Sequence, residues 1–106
     1  MFSIFSNNNV NTISVHDLDS KLGKINLIDV REEYEYRNGH VPTAKNIPMG
    51  DILSKPENYL NKDKEYHIIC QSGGRSSRTC KDLSSKGYNV INVSGGTGAY
   101  IKPLER

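Results

Sequence analysis

The sequence has little of what marks disulfide-rich, membrane-spanning or nucleic-acid-binding chains. It contains only two cysteines, too few for a disulfide framework, so we expect both to be free thiols in a reducing compartment. No apolar run approaches the length that spans a bilayer. The net charge is only +2, and the basic residues between Arg75 and Lys81 have no aromatic residues among them, which argues against a nucleic-acid partner. No cysteine–histidine cluster has zinc-ligand spacing, so no metal site is predicted.

The length and the start of the chain define its organisation. A chain of 106 residues allows one small domain. Its first six residues lack the basic and long apolar regions of a secretory signal, and the three asparagines that follow are polar. We therefore expect residues 1–11 to form a frayed N-terminal segment and residues 12–106 to form a single domain. We also expect a cytoplasmic protein.

Short apolar stretches alternate along the chain with stretches that favour helix. The predicted strands are 12–13, 25–30, 44–47, 66–69 and 89–93. The predicted helices are 14–22, 33–38, 54–60 and 76–86. This alternation predicts an α/β domain with a mainly parallel central sheet. The residues that follow strands 25–30 and 66–69 then lie at the carboxyl edge of the sheet, where ligand sites of such sheets form.

The most informative segment is the loop after strand 66–69. It begins with Cys70, contains Gly73 and Gly74, and reaches Arg75 just before the predicted helix. Glycine permits positive φ and close backbone approach, so we expect successive N–H groups to curl around the sulfur at a helix N-terminus. That environment favours thiolate over thiol, and Arg75 would add a fixed positive charge. Cys70 is therefore predicted to be an activated nucleophile; the alternative is a buried structural thiol.

Three segments together carry a family resemblance. They are residues 70–76 (CQSGGRS), residues 29–48 (DVREEYEYRNGHVPTAKNIP) and residues 93–100 (VSGGTGAY). In this order they resemble the signatures of single-domain rhodanese-like sulfurtransferases, and the resemblance covers residues 13–101. Two positions depart from the family pattern. Thr43 stands where glycine is usual, and Tyr100 stands where tryptophan is common.

The length of the cysteine loop separates this family from other cysteine enzymes. Phosphotyrosine-type phosphatases and arsenate reductases place an arginine six positions after the nucleophile, whereas Arg75 follows Cys70 by five. The shorter loop makes a tighter ring of amides, which suits one added sulfur atom better than a tetrahedral oxyanion. A cysteine-loop phosphatase or arsenate reductase is therefore the alternative enzyme. A non-catalytic rhodanese-like binding module is the alternative outside catalysis.

The resemblance implies a rhodanese-like α/β fold with helices on both faces of the sheet, and sulfur transfer without a cofactor. Cys70 would take the outer sulfur of thiosulfate or a persulfide and hold it as a persulfide. Cyanide, a thiol or a carrier protein would then accept it. The donor would leave as sulfite or as a thiolate. Both are stable anions near neutral pH, so the reaction needs little general-acid help. Cys70 would be the catalytic residue, and the loop residues that bind the substrate would be Gln71, Ser72, Gly73, Gly74, Arg75 and Ser76.

Several charged residues near these motifs are predicted to be scaffold. Asp29 should be satisfied by backbone amides or an arginine, because an unpaired carboxylate near the cysteine would raise the pKa of the thiol. Arg31, Glu35 and His40 are also taken as structural. Arg75 has two open roles, as a staple of the loop and as a ligand of an anionic donor.

Two further features suggest chemistry but have plainer explanations. Cys80 could resolve a disulfide with Cys70, yet its place on the predicted helix favours packing in the core. The glycine-rich turn at 95–98 lacks the lysine of a P-loop and the acidic residue of a dinucleotide site. We expect it to be a tight turn into a final helix.

Overall fold

Five short strands form one all-parallel sheet in the computed structural model, which describes residues 10–106. The strands are β1 (Thr12–Ser14), β2 (Leu27–Asp29), β3 (Lys45–Asn46), β4 (Glu65–Ile69) and β5 (Asn89–Ser94). Their order across the sheet is β1-β5-β4-β2-β3, and every neighbouring pair is parallel. The predicted α/β class and parallel sheet are confirmed. Because β4 is the middle strand, the residue that follows it lies at the centre of the carboxyl edge.

Within residues 10–106, four α-helices accompany the sheet: α1 (Glu33–Arg37), α2 (Met49–Ser54), α3 (Gly74–Ser85) and α4 (Gly96–Ala99). Neighbouring residues of β4 belong to different apolar clusters, since successive side chains of a strand point to opposite faces. Ile68 packs in one cluster with Leu83 of α3, and Ile69 packs in another with Val15 and Leu18. Both faces of the sheet are therefore covered, which explains why the central strands are apolar without alternation.

The helix predicted for residues 14–22 is wrong. Two 3₁₀ helices, Val15–Asp17 and Asp19–Lys21, occupy this segment. Val15 and Leu18 are both buried, and their three-residue spacing satisfies a 3₁₀ turn as well as an α-helix. The aspartate and serine residues between the apolar positions disfavour a helix interior, because their side chains compete for backbone hydrogen bonds.

The helix predicted for residues 54–60 is also misplaced. Helix α2 ends at Ser54, where the prediction starts a helix, and a separate 3₁₀ helix spans Pro56–Asn58. Lys55 between them has φ −143° and ψ 72°, outside the helical region. The ring of Pro56 disfavours the α conformation for the residue before it, so the chain bends at Lys55.

The predicted frayed segment 1–11 lies mostly outside the described residues. Val10 is partly buried against the apolar cluster that contains Ile68. The carbonyl of Asn11 accepts a hydrogen bond of 2.8 Å from the amide of Asn92 in β5. Within residues 10–106, no helix has the length and apolarity that crossing a bilayer requires.

Candidate active site

The loop between β4 and α3 surrounds the sulfur of Cys70 with hydrogen-bond donors. The amides of Gly73 and Ser76 donate to Sγ at 3.1 and 3.3 Å. The Ser76 hydroxyl oxygen lies 3.4 Å from the same sulfur. Cys70 is only 1% exposed, so the sulfur lies at the floor of the loop. The loop thus turns amides onto the sulfur in the way that the glycine-containing sequence predicts.

Local backbone geometry explains this arrangement. Gly73 has φ +114°, a conformation that an L side chain rarely adopts, and it caps the N-terminus of α3. Gly74 has no positive φ and faces open space, so only one of the two loop glycines is required by geometry. Helix α3 begins two residues earlier than predicted. The Ser76 amide is therefore one of the first N–H groups of the helix, which have no partner within it and are available to the sulfur.

The loop changes the acidity of Cys70. Burial raises the pKa of the Cys70 thiol, but its hydrogen bond with the Ser76 hydroxyl and those from the amides of Ser76, Gly73 and Ser72 outweigh that effect. The resulting pKa of Cys70 lies below that of an ordinary cysteine. Hydrogen bonds that favour the charged form therefore prevail over desolvation at this position.

Cys80 has the opposite environment. It is fully buried in the apolar cluster between α3 and the sheet, as predicted. Burial, and then the charge of Cys70, raise the pKa of Cys80 to about 12. Both cysteines are free thiols. Only Cys70 therefore has the thiolate character that makes a cysteine nucleophilic.

The turn at the start of α4 holds the loop from behind. The amide and hydroxyl of Thr97 donate to the carbonyl of Cys70 at 2.9 and 3.2 Å, and the amide of Gly98 donates to the carbonyl of Gln71 at 2.9 Å. In a trans peptide the C=O and the following N–H point in opposite directions. Fixing these two carbonyls therefore aims the amides of Gln71 and Ser72 away from α4, and the Ser72 amide is one of the groups that lower the pKa of Cys70.

The hydrogen bonds from Thr97 and Gly98 form a clamp on the cysteine loop. The backbones approach so closely in this clamp that glycine is necessary. A Cβ on Gly96 would lie 2.5 Å from the carbonyl oxygens of both Cys70 and Gln71, and the residue has φ +63°. A Cβ on Gly98 would lie 3.1 Å from the carbonyl oxygen of Gln71. The predicted tight turn is present, but sequence reasoning missed its contact with the cysteine loop. The run of glycines itself was the available signal, since glycine often marks close backbone approach.

Arg75 takes the first of its two predicted roles, as a staple. Its two terminal nitrogens donate to the two carboxylate oxygens of Glu35 in α1, at 2.7 and 2.9 Å. The hydrogen bonds from Arg75 hold the pKa of Glu35 at about 2, although partial burial opposes the shift. Glu35 is therefore ionised at all ordinary pH values. It also accepts a hydrogen bond from the amide of Glu32, which completes a capping box at the start of α1.

A buried ion pair supports the first loop residue. Arg31 donates to Asp29 through its backbone amide, Nε and Nη2, with the shortest distance 2.9 Å, so an arginine satisfies the carboxylate as predicted. Its Nη1 donates to the side-chain oxygen of Gln71 at 3.0 Å, and Nη2 also donates to the carbonyl of Gly39. Arg31 therefore joins β2 to the cysteine loop, a contact that sequence reasoning did not foresee.

His40 and Thr43 belong to the scaffold near α1. The His40 ring stacks on Tyr36 with 3.8 Å between centroids, and its Nδ1 lies 3.0 Å from the Tyr36 carbonyl. The backbone of His40 pairs with that of Glu105. Thr43 has φ +74°, which explains why glycine suits this position.

A cavity of about 310 Å³ lies away from the cysteine loop. It is lined by residues of β2 and β3 together with Tyr59, Lys64 and Tyr66. None of residues 70–76 lines it.

Comparison with known proteins identifies the family of this chain. The profile of the rhodanese-like domain family matches residues 14–102. The chain belongs to the rhodanese-like family. This rhodanese-like chain is 51% identical over 74 residues to YtwF of Bacillus subtilis, whose name provisionally assigns it as a sulfurtransferase. The match covers 70% of the chain and 71% of YtwF. The chain is also 32% identical over 97 residues to a sulfurtransferase of Allochromatium vinosum. This match covers 88% of the chain and 90% of that sulfurtransferase.

Solved structures agree with this assignment. SSP1007 of Staphylococcus saprophyticus superposes with a TM-score of 0.83 at 35% identity, covering 92% of the chain and all of that protein. A rhodanese-like domain protein of Staphylococcus aureus superposes with a TM-score of 0.80 at 34% identity, covering 91% and 97%. The predicted family and its fold, with helices on both faces of a parallel sheet, are confirmed.

Proposed function

We propose that this rhodanese-like protein is a sulfurtransferase that carries a sulfane sulfur on Cys70. The observation that supports the proposal best is the hydrogen bonding of Sγ by Gly73 and Ser76 at the end of the central strand. Sequence similarity to sulfurtransferases supports the same reaction class. The lowered pKa of Cys70 favours the thiolate, which is the form that attacks the donor.

In the first half-reaction, the Cys70 thiolate attacks the outer sulfur of thiosulfate or of a persulfide. A bond forms between Sγ and that sulfur. The donor's own bond to the sulfur breaks, and its electron pair leaves with sulfite or with a thiolate. Cys70 then holds a persulfide, whose negative outer sulfur would be stabilised by the backbone of the predicted binding residues, Gln71, Ser72, Gly73, Gly74, Arg75 and Ser76.

In the second half-reaction, a thiol, cyanide or a carrier protein attacks the outer sulfur. The bond to Sγ breaks, and Cys70 is released as thiolate for the next cycle. No cofactor takes part in this scheme. Because both cysteines are free thiols, a reducing compartment such as the cytoplasm suits the cycle.

The alternative functions have less support. A phosphatase or arsenate reductase needs an arginine whose guanidinium can bind an oxyanion. Both terminal nitrogens of Arg75 are instead bound by Glu35. A non-catalytic binding module needs no activated thiol, whereas the loop lowers the pKa of Cys70. Neither alternative therefore explains the geometry of residues 70–76.

Intact-mass measurement tests the proposal. Incubation with a sulfane donor should add one sulfur atom to the wild-type protein, and cyanide should remove it. Cys70→Ser should gain nothing. Cys80→Ala is the matched control, because its sulfur lies in the core, and it should still gain one sulfur atom. Absence of an adduct from thiosulfate and from persulfides alike would refute the proposed function.

A further inference from the structure

The charges beside the cysteine loop are arranged in neutral pairs. Arg75 is bound by Glu35, and their side chains are only 35% and 20% exposed. Arg31 is bound by Asp29 within the core. Arg78, one turn further along α3, is exposed, so water screens its charge. The two cations that the structure fixes next to the loop are thus already compensated by carboxylates.

This pairing matters because the possible donors differ in charge. Thiosulfate is a dianion, and its approach to the Cys70 thiolate brings three negative charges together. A persulfide that is attacked as neutral RSSH adds none, and a monoanionic donor adds one. Amide groups in a loop carry only partial positive charge, so a full cation nearby strengthens the binding of a dianion more than that of a donor of low charge. Arg75 would be that cation if Glu35 did not occupy both of its terminal nitrogens.

Resting on the proposed sulfur transfer, we infer that Glu35 determines donor specificity through Arg75. By neutralising the guanidinium with two hydrogen bonds, Glu35 disfavours the thiosulfate dianion and leaves Cys70 selective for donors of low charge, of which persulfides are the biological class. The transfer from such a donor is balanced: Cys70–S⁻ and R–S–SH give Cys70–S–SH and R–S⁻. The Sγ–S bond forms as the donor S–S bond breaks, and the proton stays on the transferred sulfur.

Two small donors isolate the effect of charge. Thiosulfate and methanethiosulfonate both present a terminal sulfur on a tetrahedral sulfonyl group, but a methyl group replaces one charged oxygen in the second. Each leaves one sulfur on Cys70 and departs as an anion, sulfite or methanesulfinate. The measured quantity is the ratio of kcat/KM for thiosulfate to kcat/KM for methanethiosulfonate. A change in the nucleophilicity of Cys70, or in the folded fraction, affects both donors and cancels in the ratio.

The test variant is Glu35→Gln. Glutamine keeps the size of the side chain and an oxygen that accepts from the Glu32 amide, but it removes the charge that neutralises Arg75. We expect the ratio to rise about tenfold, because an unpaired guanidinium interacts more strongly with a dianion than with a monoanion. The increase should shrink with added salt. Glu33→Gln is the matched control: Glu33 lies on the same helix, pairs with Arg37 and is mostly exposed, so the ratio should not change.

Alkylation of the wild type gives a measurement that needs no variant. Sulfate is an unreactive dianion of similar shape, and it should not slow the alkylation of Cys70 by iodoacetamide at constant ionic strength. An unchanged ratio in Glu35→Gln, or protection of the wild type by sulfate, would overturn the inference and leave sulfur transfer intact. Absence of sulfur transfer from both donors in the wild type would instead refute the proposed function.

Discussion

Replacing Gly96 by alanine tests how far the turn at the start of α4 controls the pKa of the Cys70 thiol. The added Cβ would lie 2.5 Å from the carbonyl oxygens of Cys70 and Gln71. To reach ordinary contact, the turn and the loop must separate by about 0.9 Å. That movement breaks or lengthens the hydrogen bonds from Thr97 and Gly98, which hold the two carbonyls.

Two physical costs add up in this variant. An L side chain at φ +63° costs about 1–2 kcal/mol. Forcing a methyl group into a filled space costs about 1–3 kcal/mol more. The free energy of unfolding should therefore fall by about 2–5 kcal/mol. Because the amides of the loop move with their carbonyls, the pKa of Cys70 should rise towards that of a free cysteine, near 8.5.

Gly23→Ala provides the control that separates these costs. Gly23 has a similar φ of +84°, but a Cβ there would meet no atom within 4 Å. Gly23→Ala should lose only the stability that an L side chain at positive φ costs, about 1–2 kcal/mol. The pKa of Cys70 in this variant should equal that of the wild type. Urea denaturation measures stability, and the pH dependence of iodoacetamide alkylation measures the pKa. Equal losses of stability in the two variants, with an unchanged Cys70 pKa in Gly96→Ala, would refute the clamp.

Three further predictions concern single side chains. Ser76→Ala removes the hydroxyl beside Sγ, so the pKa of Cys70 should rise and alkylation at pH 7 should slow by up to about tenfold; an unchanged alkylation profile would contradict this. Thr43→Gly relieves a β-branched residue at φ +74° and should raise the free energy of unfolding by about 0.5–1 kcal/mol, measured in urea; a loss of stability would contradict it. Burial lowers the pKa of His67, so below about pH 6.5 the unfolded chain binds a proton that the folded chain resists. Thermal denaturation should therefore show stability falling as the pH drops from 7 to 5, and His67→Leu should flatten that slope; an equal slope in both proteins would contradict the assignment.

The part of the site that is local in sequence could be predicted. Cys70, Gly73 and Ser76 belong to one strand–loop–helix segment, so their proximity follows from chain connectivity. The position at the carboxyl edge followed from the alternation of strands and helices, because a parallel sheet brings strand ends together. That Asp29 is compensated followed from electrostatics, since an unpaired carboxylate near the cysteine would raise the pKa of the thiol. The sequence left backbone amides and an arginine open as partners, and Arg31 supplies both.

The contacts between distant segments could not be predicted. Nothing in the sequence says that Glu35 of α1 lies against Arg75, or that Gly96 lies against the Cys70 carbonyl, because both depend on how helices dock on the sheet. The misplaced helix near Pro56 has a different cause. Ser54 and Glu57 have the spacing of a capping box, which favours a helix that starts there. The constraint of the proline on Lys55 prevailed over that signal. Short helices depend on such local competition more than on apolar spacing.

The strand order has a consequence for how the thiol acquires its acidity. The carbonyls of Cys70 and Gln71 are held by residues that follow β5, which lies between β4 and β1. The hydrogen bonds from Thr97 reach Cys70 across 27 positions of sequence, so they form only when β5 has paired with β4. The environment that lowers the pKa of Cys70 is therefore complete only in the folded domain, and an unfolded chain presents a thiol of ordinary acidity.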